Sequence, residues 1–358
     1  MAYTTIKKPS DYFNTKLYTG TGSQLAVTGV GFQPDFVWFK NRGTTNSHGL
    51  QDVVRGFNTT GIQSSNGTDA DPSFDGSTLG YVSAVGSDGF TVEAGGCANA
   101  SGNNYVSWNW LGANGTASNT DGDITSTVSA NTTSGFSIVK WTGNGTQSDQ
   151  EIGTGLSTEL KFVISKPLET GGATNSWLVY VNGVTDAQDN CLLLESTSAL
   201  VTGASGGTPN KGTTAGNLLI KAGTSTNNNL NNSGTNYIAY CFAEVKGFSK
   251  FGSYTGNGNA DGSFIYLGFK PAFLIVKGAT NTGHWQIVDN KRPGYNPNSN
   301  YLRANQSNAE STDIPFDILS NGFKARSTDT SYNGSGVTYI YMAFAEEPLV
   351  GDNPATAR

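Results

Sequence analysis

The hydrophobic positions of this chain fall in short runs separated by clusters of Gly, Asn, Ser, Thr and Asp, and the runs come in three matching sets. Each set opens with a strand-like stretch that enters a Thr-Gly-x-Gly turn: Asp11 to Tyr18, Gly135 to Trp141, and Phe248 to Tyr254. A continuous apolar run follows: Asp35-Phe-Val-Trp-Phe-Lys40, Leu160-Lys-Phe-Val-Ile-Ser-Lys166 and Ala272-Phe-Leu-Ile-Val-Lys277. Short runs rich in β-branched and aromatic residues predict strands, and unbroken ones predict strands buried on both faces. Ser87-Asp-Gly-Phe-Thr-Val-Glu93 and Ser320-Asn-Gly-Phe-Lys-Ala-Arg326 carry hairpin signals, since Asp-Gly and Asn-Gly supply positive φ. Asn217-Leu-Leu-Ile-Lys-Ala222 holds the matching place in the second set. Each set closes on an aromatic strand, starting at Tyr105, Tyr237 and Tyr339. No stretch shows the 3.6-residue period of a helix.

Two signatures make the repetition explicit. Tyr18-Thr-Gly-Thr-Gly returns as Trp141-Thr-Gly-Asn-Gly and Tyr254-Thr-Gly-Asn-Gly. Asn99-Ala-Ser-Gly-Asn-Asn-Tyr returns as Asn231-Asn-Ser-Gly-Thr-Asn-Tyr and Asn333-Gly-Ser-Gly-Val-Thr-Tyr. A period of roughly 100 residues is far longer than that of solenoid or propeller repeats, so each copy is large enough to enclose its own core. The expected fold is all-β, with three tandem related β-sandwich (jelly-roll-like) modules at residues 10–112, 135–246 and 247–347. Residues 113–134, rich in Gly, Asn, Thr and Ser, read as a linker, and 348–358 as a C-terminal tail. Copies two and three, joined almost directly, are expected to pack as a rigid pair with copy one more independent. Pro34 and Pro271 should fix φ ahead of the central strand; copy two lacks this proline.

Composition narrows the class. Charged residues are only 13% and glycines number 47 in 358 residues, so the polar surface must come from Asn, Ser and Thr. A net charge of −6 leaves no basic footprint for nucleic acid, and no apolar run is long enough to cross a bilayer. The first residues have no apolar core of a secretory signal. Cys97, Cys191 and Cys241 fall in no metal or redox spacing and read as small apolar fillers.

The two histidines, His48 and His284, stand at similar places, each followed by Asp and Arg: His48, Asp52, Arg55 and His284, Asp289, Arg292. An imidazole, a carboxylate and a guanidinium have the make-up of an acid/base group. The spacing differs between the copies, however, and copy two has Trp177 near that place, so the set reads as a structural cluster. Asp52, Asp88, Glu93, Asp289 and Glu310 form no glycosidase-like pair by spacing. No catalytic residue, cofactor or metal is assigned, and the chain is not read as an enzyme. Asn257-Gly-Asn259-Ala-Asp261 and Asn119-Thr-Asp121-Gly-Asp123 start like calcium loops but lack the closing Glu. The binding candidates are Trp285, taken as a surface aromatic with His284 beside it, together with Trp177 and His48.

Tyr-Thr-Gly-Asn-Gly, Gly-Phe-x-Pro-Asp-Phe-Val-Trp, His-x-Leu-x-Asp-x-Val-Arg-Gly (His48 to Gly56) and Tyr-Ile-Tyr-Met-Ala-Phe-Ala-Glu (Tyr339 to Glu346) resemble a repeat of structural proteins from marine tailed bacteriophages. The start Met-Ala-Tyr-Thr-Thr-Ile is similar to that of virion proteins from such phages. The resemblance runs from about Asp11 to Glu347 and brings no catalytic residues with it. It implies a virion surface protein made in the bacterial cytoplasm: a fibre, tail or spike-type subunit mediating assembly and host-surface glycan attachment. A capsid decoration or cement protein is the alternative, and a glycan depolymerase the outsider. The implied partners are other virion proteins, further copies in a homo-oligomer and a host glycan, with no nucleic acid and no membrane insertion.

Overall fold

Each of the three continuous apolar runs becomes the middle of a five-strand antiparallel order that occurs three times: opening, closing, central, return and short edge strand. The computed structural model describes residues 4–71, 75–169, 175–187, 189–203, 207–221, 230–293, 295–313 and 316–348. In unit one the order is Phe13–Thr19, Asn104–Trp110, Phe36–Asn41, Gly49–Asp52 and Ile62–Gln63. In unit two it is Phe136–Thr142, Asn236–Ala243, Leu160–Pro167, Leu178–Val181 and Leu192–Leu193. In unit three it is Ser249–Thr255, Thr338–Pro348, Phe269–Gly278, Gln286–Asp289 and Leu302–Arg303. A three-stranded sheet accompanies each: Leu25–Thr28, Gly89–Val92, Val82–Gly86; Asp149–Ile152, Leu218–Lys221, Asn210–Lys211; Phe264–Tyr266, Gly322–Ala325, Phe316–Leu319. The fold is all-β and sandwich-like. The helical turns among the described residues are Pro9–Asp11 and Gly76–Leu79, the latter capped by the Asp75 carboxylate.

The period of two explains why the central strands are apolar throughout. Along Phe36–Asn41, Val37 and Phe39 join a core inside unit one, while Phe36 and Trp38 point the other way, into a core shared by all three units. Phe162 and Ile164 enter the same shared core from unit two, and Phe273 and Ile275 from unit three. The closing-strand residues Trp110, Phe242 and Phe344 meet there, with centroids 6.5, 5.7 and 5.8 Å apart pairwise. Burying each such side chain stabilises by about 1.5–3 kcal/mol, so this cluster ties the units into one body. Unit one is therefore not the independent member: Phe13 stacks on Phe344 and tilts against Phe273.

Residues 113–134 are not a free linker. Ala117–Asn119 and Ser126–Asn131 add two strands to the sheet of unit two, pairing Ser126 with Trp141 through to Asn131 with Phe136. Ile124 and Val128 drop into the unit-two core, so two apolar side chains outweigh the loop-like composition around them. Pro271 also departs from expectation: it lies inside Phe269–Gly278, where the register shifts on either side of it, as a strand proline requires.

The repeated signatures lock each other. The side-chain oxygens of Asn99, Asn231 and Asn333 accept from the main-chain N–H of Thr21, Asn144 and Asn257 in the Thr-Gly-x-Gly turns, at 2.7, 2.9 and 3.1 Å. Tyr105, Tyr237 and Tyr339 hydroxyls accept from the N–H of Ala100, Asn232 and Gly334. Their rings stack on Tyr18, Trp141 and Tyr254 at 5.1, 5.3 and 5.1 Å. The first glycine of each turn is required because a Cβ would sit 2.2–2.3 Å from the facing carbonyl oxygen (2.2 at Gly20, 2.3 at Gly143 and Gly256).

Candidate functional site

Strand register shows which residues correspond. Phe36, Phe162 and Phe273 each pair with a closing-strand aromatic on one side. On the other side they pair with Asp52, Val181 and Asp289. Those three are thus equivalent, and four residues earlier so are His48, Trp177 and Trp285. The two histidines are not counterparts: His284 lies one place before Trp285, on the opposite parity of the strand.

The surface-aromatic expectation fails for a physical reason. Trp285 and Trp177 are fully buried, as is His48, because all three reach across a joint to the short edge strand of a neighbouring unit or, for Trp177, to the residue that follows it. Trp177 Nε1 donates to Ser64 O at 2.8 Å, from unit two to unit one. Trp285 Nε1 donates to Leu193 O at 2.8 Å, from three to two. His48 Nε2 lies 3.0 Å from Arg303 O, linking one to three. The three bonds close a ring. Trp38 Nε1 donates to His48 Nδ1 at 2.9 Å, so Nε2 carries the proton and the imidazole is neutral; burial holds its pKa well below the usual value. His284 is half-buried, bonds Asn305 through Nδ1, and is likewise lowered by burial. A histidine with both nitrogens committed, as in His48, cannot serve as an accessible base.

The Asp–Arg pairs occupy the same joints. Asp52 Oδ1 caps its own turn by accepting from Val54 and Arg55 N–H, while Oδ2 accepts from Arg55 Nε at 2.7 Å and from the Tyr240 hydroxyl of unit two at 2.9 Å. Asp289 repeats this with Arg292 Nε at 2.7 Å and Trp108 Nε1 of unit one at 3.0 Å. Where unit two meets unit three, Val181 and Val184 replace Asp and Arg, and Met342 replaces Tyr240 and Trp108; all three pack in the shared core. A buried carboxylate needs donors, and a methionine offers none, so the loss on one side of the joint matches the loss on the other.

The remaining candidate carboxylates are also occupied. Asp88 accepts from Gly29 and Gly31 N–H, Glu93 bonds Gln24 and Ser83, and hydrogen bonding lowers both pKa values. Burial would raise the Glu310 carboxyl, yet Arg42 and Arg292 bring it down to about 2. Asp261 is held by Lys324 and Arg326, and the Asn257–Asp261 stretch is an Asx-turn ladder. Among the described residues, no group of three or more His, Cys, Asp or Glu is placed to hold a metal ion. All three cysteines are free and buried.

A family model described as a domain of unknown function, DUF7483, matches residues 8–348. The chain belongs to the DUF7483 family. That match takes in all three units together, in keeping with a core that none of them completes alone. No curated protein and no solved structure matches the chain.

Several residues of this DUF7483 chain that shape the joints were not singled out from sequence. Tyr240 and Trp108 read there only as strand aromatics. Lys40, Lys166 and Lys277 are buried at equivalent places, each bonded to main-chain carbonyls, and burial lowers each pKa to about 8. Their signal was a lysine ending each of the three central runs. Asp35 is buried and pushed up to about 6 by desolvation, against the Asn114 and Gly112 N–H groups that it accepts from. Among the described residues, the large apolar side chains that face solvent are Phe264, Tyr266 and Tyr295, at 46%, 49% and 68% exposure.

Proposed function

We propose that this chain is a structural protein on the surface of a tailed-phage virion, a fibre, tail or spike-type subunit that takes part in assembly and host-surface glycan attachment, and that it works without catalysis. The residue resemblance to phage structural proteins supplies the class. The observation that carries the reading is that the buried His, Trp, Asp and Arg side chains are taken up in joints between the units. What is left for a partner is the outside of one body with a shared core. One difference between the units suits a glycan: in unit three, Phe264 and Tyr266 point outward on one strand, whereas the outward places of the matching strands carry Ala26 and Thr28, or Asp149 and Glu151. An aromatic face beside polar groups is the usual platform for a sugar ring.

The cyclic repetition favours a second reading, capsid decoration, since a body with three related faces suits a threefold position of a lattice. Immunogold labelling of intact particles of the phage that encodes the chain separates the two. Label on the tail supports the first, label on the head the second, and absence from purified particles refutes both. Loss of glycan-array binding in Tyr266→Ala, with folding intact, would locate attachment; no glycan binding by the unaltered protein would remove the attachment role.

A further inference from the structure

The three joints are built at equivalent positions and are chemically unequal. The main-chain N–H groups of Glu310, Asp71 and Leu200 donate to Arg42 O, Leu168 O and Ala279 O at 2.8, 2.7 and 2.8 Å. Glu310, Asp71 and Leu200 are therefore counterparts, as are Arg42, Leu168 and Ala279. At the places that hold Asp, Arg and Glu elsewhere, the joint of units two and three is apolar, with Val181, Val184, Leu200, Ala279 and Met342. The joint of units three and one is polar and complete. Arg292 Nη1 bonds Glu310 Oε2 at 2.9 Å, and Arg42 from the neighbouring unit clamps both Glu310 oxygens at 3.0 and 2.8 Å. Two carboxylates, Asp289 and Glu310, face two guanidiniums.

The joint of units one and two is polar and incomplete. Among the described residues Arg55 is the one guanidinium that Asp52 and Asp71 face, because Leu168 stands where Arg42 would be. Asp71 is one methylene shorter than Glu310, and its Oδ1 stays 3.6 Å from Arg55 Nη1. That buried nitrogen makes no hydrogen bond among the described residues. Gln63 bonds the Asp71 carboxylate, but an amide brings no charge. Burial raises the Asp71 pKa where the equivalent Glu310 is lowered. Lys40 and Lys166 hold matching places in the two joints, and Lys140 and Glu169 at the same place are opposite in sign, so the difference of one positive charge stands. Where the guanidinium is missing there is an open cleft of about 390 Å³, lined by Arg55, Asp71, Leu168, Lys140, Glu169 and Asn236 among others. Its size lies in the range of small-ligand sites, roughly 300–1,000 Å³.

We propose that this cleft binds the guanidinium of an arginine side chain presented by a partner protein, which completes the joint between units one and two as Arg42 completes the joint between three and one. A planar guanidinium matches a carboxylate in two-pronged fashion, as Arg42 already does with Glu310. Such binding is a property of the purified chain and does not depend on the virion reading.

Titration of the full-length protein with N-acetyl-L-arginine amide, followed by NMR, tests it, with N-acetyl-L-citrulline amide as the neutral isostere. Saturable binding with a Kd on the order of millimolar is expected, with the citrulline compound at least roughly tenfold weaker, equivalent to about 1.4 kcal/mol. Asp71→Asn should weaken the arginine compound by a similar factor, and Leu168→Arg should abolish binding while raising the melting temperature. Should Leu168→Arg fail to fold, Asp71→Asn decides alone, its melting curve serving as the folding control. Equal binding of the two compounds, no binding, or binding indifferent to Asp71→Asn would each overturn the proposal. Much tighter binding of free L-arginine than of the blocked form would overturn its assignment to a partner side chain.

Discussion

Replacing Asp52 by Asn exchanges one oxygen for an amide nitrogen and removes one buried negative charge. If the amide oxygen keeps the Val54 and Arg55 N–H groups of the turn, the amide nitrogen must face Arg55 Nε and the Tyr240 hydroxyl, both of which now donate to Asp52 Oδ2. Two hydrogen bonds to a charged acceptor are lost, worth about 1.5–3 kcal/mol each, and the Arg55 guanidinium keeps the neutral Leu50 carbonyl and Tyr240 hydroxyl oxygens at 3.0 Å, with Asp71 at 3.6 Å as its remaining carboxylate among the described residues. The Arg55 side chain is 2% exposed, so solvent cannot compensate. The expected loss is about 3–5 kcal/mol, the range for a buried pair broken on one side. Adding Arg55→Met removes the unpaired charge, much as Val184 does at the equivalent place, and lets the introduced amide donate to the Tyr240 oxygen. The double variant should regain about 2 kcal/mol over Asp52→Asn alone. Urea unfolding followed by tryptophan fluorescence reads both, through the midpoint at constant slope. A cost below about 1 kcal/mol for Asp52→Asn would refute the reasoning, as would a double variant less stable than the single.

Three further outcomes are expected. Trp177→Phe removes the only donor in its ring and strands Ser64 O in the joint between units one and two; a loss of about 1–3 kcal/mol should appear in the same unfolding assay, and an unchanged midpoint would deny the ring a stabilising part. Asp35 titrates at about 6 in the folded protein against an ordinary value near 3.8, so the folded state holds the proton more tightly than the unfolded chain. The stability it contributes is full below about pH 4 and is lost as pH rises through about 6, roughly 3 kcal/mol for about two pH units; Asp35→Asn should flatten that slope between about pH 4 and 7, and an identical slope would contradict it. Lys277 is lowered to about 8 by burial, so its charged form weighs against folding at neutral pH and the penalty falls away as pH rises from about 8 towards 10.5. Lys277→Met should stabilise the protein at about pH 7 by about 1–3 kcal/mol and remove its share of the rise above about pH 8; destabilisation at neutral pH would count against it.

Much of the local chemistry was legible in the order of residues. The Thr-Gly-x-Gly turn and the Asn-x-Ser-Gly-x-x-Tyr signature were legible as recurring landmarks, while their bonding to one another shows only in the structure, because they are far apart in sequence. Asp52 and Arg55 were readable as a pair because side chains that bond within three residues reveal themselves by spacing; His48 is not their partner, since it faces Arg303 across the joint of units one and three while they face Tyr240 across the joint of units one and two. Trp285 was misplaced for the opposite reason. Its polar neighbours suggested a surface, but its exposure depends on where the short edge strand of unit two comes to rest, and no residue near Trp285 encodes that. The stretch 113–134 failed similarly: whether Ile124 and Val128 find an apolar partner is settled by the open edge of another strand, not by the glycines around them.

By itself the sequence determined that this chain is all-β, where its strands and tight turns fall, and that its framework is stated three times. Those features rest on periodicity, on glycine at positions where a Cβ has no room, and on hydrogen bonds within each copy. Only the tertiary structure decided that the units share one core, that His48, Trp177 and Trp285 form a ring across the joints, and that the three joints are apolar, complete and incomplete in turn. The reason is physical. A joint is a sum over side chains from two copies, and the free energy of a buried Asp52 or Asp289 is set by whether Tyr240, Trp108 or Met342 faces it from the other side.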